Sequence, residues 1–186
     1  MPSVALSPPL DAPAVTDVEA VRTVGLAGGG VLGLSLATTL VIGAPLLFAP
    51  LVGAALTTAA QVVVLTVPSL LVVQVAAGLD ITPRQTLGAL RQGVHDGGAL
   101  LVALVPLALF FGSSGPSVWT TLAGFQVAGT TALFVALVRS GFALVDAEPE
   151  AGPRARLVAA AWVATGLLVA LGAASNAFRL ALRVLV

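Results

Sequence analysis

The sequence predicts an all-α fold, a polytopic transmembrane helix bundle with five spans. Of its 186 residues, 58% are hydrophobic and only 9% are charged, and the mean hydropathy is +1.09. Soluble domains carry roughly 25% charged residues because their surfaces must face water. This chain is too poor in charge to cover such a surface, so its surplus of apolar side chains requires lipid as the solvent.

Uncharged stretches and turn-forming residues divide the chain into spans. The stretch Thr23–Leu79 holds no charge, and it is too long for one span because about 20 residues cross the hydrocarbon core. We therefore expect it to fold back near Pro50 and Gly53. A polar segment and a glycine- and serine-rich turn mark the next two breaks. The predicted spans cover residues 24–47, 54–79, 98–111, 118–138 and 157–174.

The C-terminal segment leaves the span count open between two arrangements. With five spans, the C-terminal tail lies on the side opposite the N-terminus and carries Arg179 and Arg183 on one helix face. These side chains are long enough to extend to lipid headgroups. The alternative has four spans, followed by a C-terminal interfacial helix.

Two segments are predicted to lie outside the hydrocarbon core. Residues 1–22, rich in proline and acids, predict a disordered cytoplasmic tail that precedes a single transmembrane domain over residues 23–186. Thr82, Pro83 and Gln85 have the pattern of a helix start with a capping box. The pattern predicts a short interfacial helix over residues 83–95. Its basic side chains share a face and are placed to contact lipid headgroups: Arg84, Arg91 and His95.

The distribution of arginine predicts the orientation. Six of the eight basic residues lie in the N-terminal tail and the loops over residues 80–97 and 139–156, whereas the other two loops carry no charge. Short arginine-rich loops stay in the cytoplasm, so we expect the N-terminus inside. These eight residues are all arginine and none is lysine, a bias typical of GC-rich bacterial genes, and the expected location is the bacterial inner (cytoplasmic) membrane. Trp119 and Trp162 each lie near the start of a span, where tryptophan favours the headgroup level, and the alternative is two ordinary tryptophans that face lipid or the core.

Small residues recur at every fourth position of the first span: Gly25, Gly29, Gly33 and Ala37. Such a face lets helix backbones approach closely, and this is how helices associate where the hydrophobic effect is absent. One interpretation is a surface for oligomerisation or for docking another subunit. The other is packing against a helix of the same chain.

Three glutamines lie within predicted spans: Gln61, Gln74 and Gln126. An amide without a hydrogen bond in hydrocarbon costs several kcal/mol, roughly 2–7, so we expect all three to face protein. They indicate either interhelical hydrogen bonds or a polar path or ligand site between the second and fourth spans.

The remaining residues exclude most kinds of chemistry. A zero net charge argues against nucleic-acid binding, and the chain has no cysteine and one histidine, which predicts no metal site and no cofactor. No ionisable residue lies in the middle of a predicted span, which argues against ion-coupled transport. His95 and Asp96 form the one histidine–acid pair, and no nucleophile accompanies it, so we predict no catalytic residue.

The sequence thus favours a non-enzymatic membrane protein that acts through helix–helix association, as an assembly or scaffold subunit of a membrane complex. Its expected partners are the lipid bilayer and other membrane subunits or a second copy of itself. One alternative is a permease-like or channel subunit for a neutral or lipid-like substrate. A further alternative is an intramembrane enzyme that uses His95 and Asp96.

Overall fold

The protein is an antiparallel succession of five long helices. The structure, a computed structural model, describes residues 17–115, 117–147 and 152–185, and it holds no strand within them. The helices are α1 (Asp17–Ile42), α2 (Phe48–Ala76), α3 (Pro83–Gly112), α4 (Val118–Ala147) and α5 (Gly152–Leu185), with one 3-10 turn at Pro45–Leu47. All five are long and apolar enough to cross a membrane. The predicted five-span helical bundle is confirmed.

The first turn lies earlier in the chain than the sequence predicts. Gly43 ends α1 in the left-handed region, with φ at +71°, where glycine has no Cβ to clash. The N–H of Ala44 donates to the carbonyl of Thr39 at 3.1 Å, which caps the helix. Pro50 falls inside the first turn of α2, where an N–H has no helical partner. The break predicted near Pro50 therefore moves to residues 43–47, because Gly43 is the residue that satisfies the helix end.

Helix α3 joins two elements that the sequence separates. The predicted interfacial helix over residues 83–95 and the span over 98–111 form one continuous helix, Pro83–Gly112. The capping box is present, since the Thr82 N–H donates to Gln85 Oε1 at 2.8 Å. Gly97 and Gly98 do not interrupt the helix, because neighbouring helices pack directly on them. A Cβ at Gly98 would lie 2.7 Å from the backbone nitrogen of Ala27.

The helices close into a ring that is unevenly packed. Extensive contacts join α1 to α3, α3 to α4, α4 to α5 and α5 to α2, whereas α1 and α2 share few contacts. Glycines allow the tight seams: a Cβ at Gly97 would lie 2.8 Å from the carbonyl oxygen of Ala132 on α4. The ring therefore has one loose seam, between α1 and α2.

One end of the bundle, the Gly43 end, holds the α1–α2 and α3–α4 connections and the last residues of α5. The opposite end, the Arg139 end, holds the starts of α1, α3 and α5 and the last residues of α2 and α4. Residues 1–16 of the predicted tail lie outside the described residues, and residues 17–22 form the first turns of α1. Helix α5 continues unbroken to Leu185 at the Gly43 end. Arg179 is exposed there, and the side chain of Arg183 lies outside the described part.

Candidate functional site: an apolar cavity inside the bundle

All five helices line a cavity of about 220 Å³ within the ring. For comparison, an engineered apolar protein cavity of about 150 Å³ stays dry and accepts benzene. On α4 the lining runs from Phe125 to Ser140, which at about 1.5 Å per residue is a length of about 20 Å. The cavity is therefore a narrow groove parallel to the helices. Its walls are made largely of small side chains, among them Ala27, Ala54, Ala55, Ala59, Gly129, Ala132 and Ala136.

The hydroxyl groups on the cavity wall are already hydrogen-bonded within their own helices. Thr58 donates to the carbonyl of Ala54 at 2.8 Å, and Thr66 donates to that of Val62 at 2.6 Å. The same bond forms on α4, where Thr130 and Ser140 each donate to a carbonyl four residues earlier, both at 2.8 Å. These threonines and Ser140 therefore offer no free donor to a ligand, although their oxygens can still accept a hydrogen bond.

Trp162 forms part of the same wall and joins two helices across it. Its side chain is buried, and the indole Nε1–H donates to the carbonyl of Thr66 at 3.0 Å. Buried tryptophans usually find such a partner. The sequence predicts both tryptophans at the headgroup level, yet only Trp119 is exposed at a helix start. Trp162 lies about ten residues inside α5, roughly 15 Å from its end.

Gln126 is the lining residue whose side chain retains a free hydrogen-bond donor. Its amide makes no side-chain hydrogen bond within the described residues. It lies at the end of the groove nearer the Gly43 end, eight residues from the start of α4 at Val118. The cavity is therefore apolar along its length, with one amide near one extremity.

The cavity borders the loose seam of the ring. Both α1 and α2 contribute to its wall, through Val31 and Leu34 on α1 and Val63 on α2, yet these two helices share few contacts. The side chain of Val63 lines the cavity and remains about half exposed. The cavity therefore lies beside the least tightly packed neighbouring pair of the ring, α1 and α2.

The three predicted glutamines lie in three different environments. Gln74 is buried, and its Oε1 accepts a hydrogen bond from Thr86 at 3.2 Å, which links α2 to α3. Gln126 lines the cavity, and Gln61 lies on the outer surface of α2. The structure does not bring them together, so they form no polar path between the second and fourth spans.

The small-residue face of α1 is only partly used inside the bundle. A Cβ at Gly33 would lie 3.1 Å from a methyl of Val105, and Ala37 is buried. By contrast, Gly25 and Gly29 have nothing within 4 Å of an added Cβ. The glycine that α3 contacts most closely is Gly30, whose position the four-residue spacing did not indicate.

Ionisable side chains form a cluster near the Arg139 end. Arg139 Nε donates to Asp96 Oδ2 at 2.6 Å, which joins α4 to α3, and His95 Nδ1 lies 3.3 Å from Asp96 Oδ1. Arg91 Nη1 lies 3.0 Å from Glu19 Oε2 and joins α3 to α1. The uncharged part of α4 before Arg139 is about 30 Å long, as thick as the hydrocarbon core. The cluster therefore lies at the edge of the membrane core.

This cluster alters the roles predicted for its members. Of the three side chains expected to contact lipid headgroups, Arg91 and His95 pair with acids of the protein. Arg84 is exposed in the first turn of α3. Asp96 also pairs with Arg139 of α4, and the described residues hold no group of three metal-binding side chains.

The sequence missed the cavity, the Trp162 bond and the Asp96–Arg139 pair. Each of these features depends on which helices become neighbours, and the spacing of residues along one helix does not indicate that. The only signals for the ion pair are Asp96 and the arginine that ends the uncharged part of α4.

The chain matches no family model, no curated protein and no solved structure.

Proposed function

We propose that this multi-pass membrane protein acts by helix–helix association, as an assembly or scaffold subunit that pairs with a second copy through the outer face of α2. The observation that carries the proposal is Gln61. It is exposed on the outside of the bundle, and its amide makes no side-chain hydrogen bond within the described residues. A lone amide in that position is unfavourable in lipid, so a partner that satisfies it is favoured.

The depth of Gln61 prevents it from reaching water. It lies 13 residues from the start of α2 and 15 from its end, about 20 Å from either end. That distance exceeds the reach of a glutamine side chain. Burying an unbonded amide in an apolar environment costs roughly 2–7 kcal/mol, and a hydrogen bond between helices removes that cost.

The surroundings of Gln61 permit a close helix partner. Gly53 and Thr57 precede it at four-residue intervals and are exposed on the same face. A Cβ at Gly53 would meet nothing within 4 Å, and the Thr57 hydroxyl donates to the Gly53 carbonyl at 2.6 Å. Small residues at this spacing let two backbones approach. The uncovered Gly25 and Gly29 on α1 provide a second surface of the same kind.

The chemistry of the amide favours a second copy as the partner. Glutamine is both donor and acceptor, so two copies of Gln61 satisfy each other. Two copies inserted in the same direction are related by a two-fold axis along the membrane normal, which places identical residues at the same depth. A symmetric pair is also the commonest oligomer.

The test is the oligomeric state of Gln61→Leu in lipid nanodiscs or in vesicles of increasing protein density. Interhelical hydrogen bonds in membranes contribute about 0.6–2 kcal/mol, so we expect the dissociation constant of the dimer to increase about three- to thirtyfold. The control is Thr131→Leu, which replaces an exposed side chain that is already bonded within its own helix. A monomeric wild type at every density would exclude the proposal, and equal dissociation of both variants would exclude the α2 face. In the latter case Gly29→Leu tests the α1 surface.

A second function, a permease-like protein for a lipid-like molecule, is favoured by the cavity. The groove lies at hydrocarbon depth, lacks free hydroxyl donors and borders the loose seam between α1 and α2. This function is tested by the rate at which a lipid-like probe crosses the membrane of vesicles that contain the purified protein, with protein-free vesicles as the reference. Equal rates in the two preparations would exclude it.

A further inference from the structure

We propose that the cavity binds one acyl chain of an ester-linked membrane lipid, with the Gln126 amide donating a hydrogen bond to the ester carbonyl. The inference deepens the second proposed function, because it names the ligand class and the residue that recognises it. It concerns binding alone, so it holds whether or not the protein moves the lipid.

The lining selects an apolar ligand. The hydroxyls of the wall and the indole of Trp162 are bonded to backbone carbonyls. A water molecule needs two to four polar partners in a cavity, and the one free donor that this wall offers it is the Gln126 amide, beside a few hydroxyl oxygens that can accept. An apolar space at hydrocarbon depth is therefore best filled by the hydrocarbon that surrounds the protein, which enters from the bilayer without crossing water.

The dimensions fit a single chain. The groove is about 20 Å long, and two lipid leaflets together make a hydrocarbon core of about 30 Å. One extended acyl chain is thus comparable in length with the groove, and a cavity volume of about 220 Å³ spread over that length leaves a narrow space. A fused-ring or strongly branched molecule is a poorer match to this shape.

The position of the one free amide gives the chain a direction. Gln126 lies toward the Gly43 end, and the groove continues from it to Ser140 near the Arg139 end. An acyl chain carries a single strong acceptor, the ester carbonyl, at one extremity. A chain placed with this carbonyl at Gln126 satisfies the amide donor and leaves only methylene groups against the remaining wall.

Trp162 supplies the reporter for the test. The variant Trp119→Phe leaves it as the one tryptophan, and its ring forms part of the cavity wall while it is buried from the surroundings. Bromine atoms on a lipid chain quench tryptophan fluorescence on contact. We expect reconstitution into vesicles of phosphatidylcholine brominated in mid-chain to remove most of the Trp162 emission. Unchanged emission would overturn the proposal.

A matched pair of substitutions separates a chain in the cavity from bulk lipid. Gly129 lines the cavity and Gly124 lies outside it, both on α4, and an added Cβ at either position meets nothing within 4 Å. Both substitutions are made in the Trp119→Phe protein. Gly129→Leu fills the cavity and should restore most of the Trp162 emission, whereas Gly124→Leu should leave the quenching by brominated lipid unchanged. Equal quenching in both variants would show that the bromine acts from outside and would overturn the proposal.

The role of Gln126 is tested with the linkage of the chain. Replacing brominated ester lipid by brominated ether lipid removes the carbonyl. We expect the loss of this one hydrogen bond to weaken the apparent affinity for the lipid about fivefold. Gln126→Leu should abolish this preference for the ester. A preference that persists in Gln126→Leu would refute the assigned role. Displacement of the brominated lipid by free fatty acid but not by unbrominated phosphatidylcholine would refute the assignment to a membrane ester.

Discussion

Gly97 lies where α3 and α4 approach each other closely, and adding one methyl group there should measurably destabilise the protein. A Cβ at Gly97 would lie 2.8 Å from the Ala132 carbonyl oxygen and 3.0 Å from the Ala136 Cβ. Carbon atoms pack best at about 3.5–4.0 Å, so the helices must separate by roughly half an ångström to accept Gly97→Ala. Overpacking of this kind typically costs about 1–3 kcal/mol.

The helix itself contributes in the opposite direction, so a matched control is needed. Replacing glycine by alanine inside a helix stabilises it by about 0.5–1 kcal/mol. Gly88 lies in the same helix, and an added Cβ there meets nothing within 4 Å. The propensity gain therefore cancels when Gly97→Ala is compared with Gly88→Ala. We expect Gly97→Ala to be less stable by about 1–3 kcal/mol, measured by reversible denaturation in mixed micelles. Equal stability of the two variants would refute the close seam.

Two further predictions concern the charged cluster and the orientation. Arg139→Ala removes the partner of the partly exposed Asp96. Because solvent screens the pair, we expect the free energy of unfolding to fall by about 1 kcal/mol. A double-mutant cycle with Asp96→Ala measures the coupling energy, and zero coupling would contradict the pairing. With the N-terminus inside, Ser114→Cys should react with an impermeant maleimide from outside the cell and Arg84→Cys only after permeabilisation. The chain has no native cysteine to interfere, and the opposite labelling pattern would reverse the predicted orientation.

The class of membrane-spanning helix bundle was predictable because it depends on composition over long windows, whereas the C-terminal segment left five and four spans both open. Uncharged stretches of about 20 residues are stable only where hydrocarbon surrounds them, and this holds whichever helices become neighbours. The capping box at Thr82 and Gln85 was also predictable, since all of its hydrogen bonds join residues three apart. Local chemistry thus fixes where α3 begins.

The end of the α1 helix and the continuity of α3 were not predictable from local signals. Proline and glycine at positions 50 and 53 resemble a turn as much as Gly43 and Pro45 do. Gly97 and Gly98 resemble a helix break, but in the structure each lies against a neighbouring helix. Tertiary contact therefore decides whether a glycine ends a helix or lets another helix approach.

The candidate site could be predicted only as a set of residues. Helix α2 is apolar all round, so nothing in its sequence distinguishes the outward Gln61 from the buried Gln74. In a soluble protein a polar face marks the outside, whereas in lipid the outer surface is as apolar as the core. The assignment of these amides therefore required the packing of the helices.

The cavity follows from where the bundle places its small residues. Glycines of α3 draw α1 and α4 toward it, since a side chain at Gly97 or Gly98 would collide with backbone atoms. At the centre the facing residues of α2 and α4 are also small, Ala55, Ala59 and Gly129 among them, but no backbone lies close enough to fill the space that they leave. Helix α2 packs along α5 and touches α1 little. The same kind of residue thus produces a tight seam where two helices converge and an open groove where they diverge.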